Sequence, residues 1–315
     1  MKDKSFLVTG GAGFIGSHIV ERLLSDGAKK VRVLDNLSSG NRANIAGFET
    51  NPAFEFIEGD IRDANICAQA CEGINYVFHE AALVSVPRSI KEPEEYQAVN
   101  VTGFFNVLNA ARNAGVTRVV YASSSSVYGD DQTLPKIEPQ IGKALSPYAL
   151  TKQIDEEYSD LFARVYGFSS IGLRYFNVFG PRQNLASAYA AAIPKFIANI
   201  LTDKPVTVFG DGEQTRDFTF VENIVEANIR ALDAKDVFTV FNVGAGDRVT
   251  VKELIATIAE LTHKEPIIEF SEVRKGDIPH SYADIEKARI EIGYVPKLKL
   301  REGLEKTIVY YKTII

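Results

Sequence analysis

The chain has 315 residues, and 35 Lys and Arg against 41 Asp and Glu leave a formal net charge of −6. That acidity argues against nucleic acid as a general partner, and 45% hydrophobic with 24% charged residues excludes a disordered chain. No apolar run approaches a membrane span, and the short apolar stretch after Ser5 is no signal-peptide core, so the cytoplasm is the expected location.

Phe6-Leu7-Val8 reads as a short buried strand, followed by a glycine-rich turn and a helix from about Phe14 to Ser25. Ile15, Ile19 and Leu23 form its apolar stripe. Further short strands are predicted at Val31–Leu34, Phe54–Ile57, Tyr76–Phe78 and Val119–Tyr121, with helices near 63–71 and 94–113 between them. Cys67 and Cys71 match neither a redox pair nor a disulfide framework and are expected to be reduced structural thiols. Strands alternating with helices imply a parallel sheet covered on both faces. After Arg174, Pro181, the Ala-rich 187–200 stretch and the Phe209–Gly212 turn break the alternation. Thr250 and Glu253 then open a capped helix ending near Leu261. A nucleotide-binding domain is expected over 1–174 and a smaller mixed α/β domain over 175–315, with segments near 218–245 as candidates to return to the first. His18, His79, His263 and His280 make no ligand pattern, so no metal site is expected.

Gly10, Gly13 and Gly16 lie between the first strand and the first helix as G-x-x-G-x-x-G. Missing Cβ atoms let the backbone approach a pyrophosphate while the helix N-terminus offers free N–H groups. Asp35 ends the second strand, 19 residues beyond Gly16, where a carboxylate would bond an adenosine ribose and repel a 2′-phosphate. NAD is therefore expected over NADP. Asp60, after the third strand, is a candidate for the adenine amino group, although Asp in that position is also ordinary turn chemistry.

Tyr148 and Lys152 stand four apart at the start of a predicted helix and so share a face. An ammonium beside a phenol favours the phenolate, a base usable near neutral pH. The pattern is common by chance, but Ser123–Ser126 follow the Val119–Tyr121 strand, at the carboxyl end where open α/β sheets bind ligands. Hydroxyls there can hold a substrate hydroxyl while the tyrosine takes its proton.

With the glycine turn, the ribose acid, the serine run and the Tyr–Lys pair in this order, the chain resembles the extended short-chain dehydrogenase/reductases. Within them it is most similar to nucleotide-sugar 4-epimerases, and among these to the UDP-N-acetylglucosamine 4-epimerases. His79–Ala82, Asn100–Gly103, Leu173–Arg182 and Arg274–Asp277 extend the likeness, as do Ala82–Ser89 and Tyr189–Lys195. The resemblance implies a Rossmann-type doubly wound parallel sheet with a smaller substrate domain. It makes Tyr148 the base and Lys152 its partner, which also bonds the nicotinamide ribose, and it sets Ser124, Ser125 and Ser126 around the sugar. Gly10, Gly13, Phe14, Ile15, Asp35, Asn36, Asp60, Ile61, Ala81, Ala82 and Asn100 fall at NAD-contact positions. Ser85 and Arg88 belong to the implied substrate site. Asn177, Arg216 and Arg274 match residues holding the diphosphate or sugar, Asp277 the nucleotide ribose, and Thr207 and Phe209 the uracil strand. A homodimer through helices near 94–113 and 148–165 is also implied.

The serine turn holds no acid, unlike that of related dehydratases and decarboxylases, which argues against elimination chemistry. Ser281 aligns with a gatekeeper that is bulky in epimerases restricted to glucose and galactose, and Ala191 replaces an asparagine of those enzymes. Both free volume for a 2-acetamido group. The expected substrates are UDP-GlcNAc/UDP-GalNAc with UDP-Glc/UDP-Gal. A UDP-glucuronate 4-epimerase and a non-catalytic NAD(P)-sensing relative remain as alternatives.

Overall fold

A computed structural model describes residues 1–185, 192–272 and 279–315. Its large sheet has seven strands, ordered Phe238–Val243, Ser170–Tyr175, Arg118–Ser124, Tyr76–His79, Ser5–Thr9, Lys30–Asp35 and Phe54–Glu58. Every pairing is parallel. Chain order reverses between Ser5–Thr9 and Tyr76–His79, and at such a switch point the loops splay apart to open a crevice at the carboxyl edge.

The predicted strands form, each slightly longer than its apolar run. The Arg118–Ser124 strand reaches three residues further than expected, so Ser123 and Ser124 lie on the strand itself and only Ser125 begins the turn. The first helix spans Phe14–Ser25, and Asp63 caps Ala64–Cys71 by accepting from the amides of Asn65 and Ile66. Cys67 and Cys71 are free and buried, which pushes both thiols up to about 12. Thr250 and Glu253 make the reciprocal capping box at the head of Val251–Thr262.

The helix expected near 94–113 is broken. Pro93–Tyr96 passes into a wide π-helical turn, Gln97–Gly103, before Phe104–Asn113 resumes. The turn aims Asn100 at the loop after Tyr76–His79. Gly103 lies against Ile61, where a Cβ would come within 2.6 Å of the isoleucine side chain.

Two apolar layers sandwich the sheet. One joins Phe14–Ser25 and Val221–Ala231 to it through Ile19, Leu23, Val33, Phe78, Ile224 and Phe241. The other joins Ala64–Cys71, Phe104–Asn113 and Pro147–Tyr166 through Leu7, Leu34, Val107, Leu108, Tyr121 and Phe162. A separate core around Phe196, Ile197, Val208, Phe220, Leu254 and Ile308 stabilises the second half. There, Val206–Phe209 pairs with Ile268–Ser271, and Thr215–Arg216 lies between Val249–Thr250 and His280–Ser281. No described helix is long and apolar enough to cross a membrane.

Candidate active site

The glycine turn is tight because nothing else fits. Gly10 has φ +68°, and a Cβ there would stand 2.7 Å from the Ala81 nitrogen. One on Gly16 would collide with the Gly10 carbonyl. Gly13 N-caps Phe14–Ser25 with no side-chain cap, leaving that helix start to a ligand. Phe14 and Ile15 open this helix and are half-buried. Asp35 closes the second strand and is buried; its carboxylate accepts from the amides of Ala12 at 3.0 Å and Leu37 at 2.8 Å. Burial weakens its acidity, with those two amides pulling the other way. It thus ties the turn to the strand end where a ribose would sit.

Asn36 donates to Asp60 at 2.8 Å, and Arg62 clamps Asp60 with backbone and side chain. Hydrogen bonds from Arg62, against a burial effect of opposite sign, hold the Asp60 carboxyl at about 2. Its oxygens are thus already engaged by protein groups, in the turn chemistry weighed beside the adenine contact.

Ala81 and Ala82 flank the crevice, half-buried, and Ile61 is buried behind it. Asn100 is buried and both its amide atoms are used. Its Oδ1 accepts from the Leu83 amide at 2.8 Å, and its Nδ2 donates to the Leu83 carbonyl and Thr151 Oγ1. It acts on the crevice by fixing the loop. Thr9 Oγ1 lies 2.8 Å from His79 Nδ1, and burial followed by the nearby Lys152 charge pushes that imidazole down to about 3, so it stays neutral.

Ser124 N-caps the Ser125–Tyr128 turn, accepting from the Ser126 amide at 3.1 Å. Ser126 Oγ is buried and has no hydrogen-bond partner among the described residues. Ser123 instead donates to Glu156 at 2.5 Å. Glu156 also takes Arg174 through two hydrogen bonds of 2.9 and 2.7 Å. This buried web, which includes Tyr128 through Arg174 Nη1, anchors the serine turn to Pro147–Tyr166.

Ser146 caps that helix, placing Tyr148 in its first turn, 8% exposed, with the ring edge-on to Tyr96 at 6.3 Å. Lys152 follows one turn on, buried, its Nζ donating to the Ala122 carbonyl at 2.8 Å and to Asp155 Oδ2 at 3.1 Å. Burial pulls its basicity down, and the Asp155 and Tyr148 charges outweigh that and raise it. Glu80 accepts from Tyr175 at 2.9 Å, and burial pushes its carboxyl up to about 8.

The substrate candidates are spread more widely. Ser85 caps Val86–Lys91, and Arg88 pairs with Glu92 at 2.7 Å. Exposed Asn177, at φ +25°, donates to the Asp217 carbonyl. Thr207 is exposed and Phe209 half-buried on the Val206–Phe209 strand. Arg216 donates to the carbonyls of Thr215 and Pro279, and Ser281 lies beside it on the next strand. Ala191, Arg274 and Asp277 lie outside the described residues. Glu80, Glu156, Arg174 and Asp217 were missed by sequence reasoning. Asp217 gathers the amides of Ala245, Gly246 and Ala283 into one buried carboxylate, a contact no local motif signals. Among the described residues no His, Cys, Asp and Glu cluster could hold a metal.

The NAD dependent epimerase/dehydratase family model matches residues 6–244. The chain belongs to this family. It is 38% identical over 309 residues to a putative UDP-glucose 4-epimerase of Methanocaldococcus jannaschii, covering 97% of this chain and 98% of that protein. Among solved structures, a UDP-N-acetylglucosamine 4-epimerase of Methanobrevibacter ruminantium, in complex with UDP-N-acetylmuramic acid, aligns with a TM-score of 0.95 at 39% identity over the whole of both chains. A UDP-glucuronic acid 4-epimerase of Bacillus cereus, bound to UDP-glucuronic acid and NAD, aligns at 0.91 and 31%, covering 99% of this chain and 100% of that one. The epimerase/dehydratase chain is thus an extended short-chain dehydrogenase/reductase with NAD as its cofactor. Its uncapped helix start, the glycines a Cβ would block and the carboxylate closing the second strand suit a dinucleotide without a 2′-phosphate.

Proposed function

We propose that the chain is a UDP-sugar 4-epimerase that interconverts UDP-GlcNAc with UDP-GalNAc and UDP-Glc with UDP-Gal. The observation that carries this reading is that Lys152, one turn after Tyr148 on Pro147–Tyr166, is anchored to the Ala122 carbonyl on the strand that ends in Ser124. When bound, NAD supplies a reversible hydride acceptor for the sugar 4-carbon.

Ser124 orients the 4-hydroxyl and Tyr148 removes its proton, while Lys152 stabilises the phenolate. Lys152 is fixed for this by the Ala122 carbonyl. Asn177, Arg216 and Arg274 hold the diphosphate or sugar, and phosphate oxygens match the guanidinium fork of the two arginines. Asp277 takes the nucleotide ribose, and Thr207 and Phe209 hold the uracil. Ser85, Arg88, Ser125 and Ser126 line the sugar end. With the nucleotide held firmly and the sugar loosely, the 4-keto sugar turns about its bonds to the diphosphate. Tyr148 then returns the proton to the 4-oxygen, and one centre is inverted because the ring now presents the opposite face of its 4-carbon for the return of the hydride.

Serine at 281 and alanine at 191 leave volume for a 2-acetamido group. The serine turn lacks an acid for elimination. We further propose a cytoplasmic homodimer, for which exposed Leu150, Leu161, Val165 and Phe105 supply apolar surface on the two helices concerned. A panel of UDP-Glc, UDP-GlcNAc and UDP-GlcA tests the substrate reading. Turnover of the first two supports it; turnover of the uronate alone overturns it.

A further inference from the structure

Lys152 has a buried countercharge. Asp155, one helical turn further along Pro147–Tyr166, is wholly buried, and its Oδ2 accepts from Lys152 Nζ at 3.1 Å. Its other oxygen is buried with no partner among the described residues, so the carboxylate is committed to the ammonium alone. An ammonium taken out of water is tenable only with such a partner, since the desolvation cost exceeds what one carbonyl returns.

We propose that Asp155 is a positioning residue for the tyrosine–lysine pair: it holds Lys152 Nζ at the Ala122 carbonyl and, as its countercharge, sets how much positive field reaches Tyr148. This rests on the proposed epimerase reading, in which Tyr148 is the base. Other charges near the pair are already engaged. On the same helix, Glu156 is committed to Arg174 of the Ser170–Tyr175 strand and to Ser123. Glu80, after Tyr76–His79, accepts from Tyr175. His79 is neutral, and Tyr96 packs edge-on against Tyr148. Tyr121 lies beside Asp155, its hydroxyl driven well above the usual phenol range by burial first. Burial likewise raises the Asp155 carboxyl, against the pull of Lys152.

Asp155→Asn keeps an oxygen acceptor for Nζ and removes the countercharge. Two readouts are taken on the NAD-loaded enzyme: the acid limb of kcat against pH, and the tyrosinate absorbance with the matching Tyr148→Phe protein subtracted. Both are expected to move together to lower pH by about half a unit or more, because an opposite charge no longer offsets the ammonium. A purely structural role would lower stability and leave both midpoints in place. Midpoints that stay, or move upward, overturn the proposal. If Asp155→Asn fails to fold, Asp155→Ser carries the same two readouts. A wild-type protein that converts no UDP-sugar, yet whose Tyr148 absorbance responds to Asp155, refutes the function and leaves the charge coupling standing. An active wild type with unmoved midpoints refutes the coupling alone.

Discussion

Ser281 and Arg216 are register partners on adjacent parallel strands. The Arg216 guanidinium is held by the Pro279 carbonyl at 3.1 Å, two residues before Ser281. Volume added at 281 therefore enters beside the group proposed to grip the diphosphate. Ser281→Tyr is expected to lower kcat/KM for UDP-GlcNAc by about 10–200-fold, the range for excluding a small group from a pocket, with UDP-Glc much less affected. Unchanged preference between the two sugars would show that the gate lies elsewhere.

Asp35 joins the glycine turn to the end of the second strand through two backbone amides. Asp35→Ala leaves both donors without that acceptor, at a cost of about 1–3 kcal/mol. The variant should melt earlier, retain less NAD after gel filtration and discriminate less against NADP.

Among the described residues Glu156 is the sole carboxylate on Arg174, and both are buried. Glu156→Gln strands a guanidinium in the interior and should destabilise by about 3–5 kcal/mol. The shift is read from the denaturant midpoint. Because the glutamine keeps a single acceptor oxygen for both Ser123 and Arg174, the serine turn is held less firmly and sugar turnover should fall more than NAD content does.

Much of this architecture was legible because it is local. The glycine turn, the Thr250 cap and the Tyr148–Lys152 spacing each depend on residues within a turn or two of one another. The break at Gln97–Gly103 was not legible, since the apolar pattern runs through it and what interrupts it is Asn100 bonding to Leu83 in another loop. Glu80 with Tyr175 and Glu156 with Arg174 are likewise pairs between elements. Nothing at either position announces its partner. The Phe238–Val243 edge strand joins the sheet from far along the chain by pairing with Ser170–Tyr175.

Asp60 supplies a pH signature. Its native carboxyl, held at about 2 by Arg62, lies below its ordinary value, so the stability it adds is present above about pH 4 and disappears as pH falls toward 2. The pair is partly exposed, which limits the effect to about 1 kcal/mol. Wild type should lose correspondingly more stability than Asp60→Asn between pH 4 and 2, read by denaturant titration. Parallel curves would show that the Arg62 clamp contributes nothing in solution.

The most direct test is Tyr148→Phe, which deletes one hydroxyl from a ring that packs on Tyr96. The expected result is a loss of about 10²–10⁴-fold in UDP-sugar interconversion, with the fold and the bound NAD unchanged by circular dichroism and absorbance. A phenylalanine variant that epimerises as fast as wild type would contradict the account at its centre.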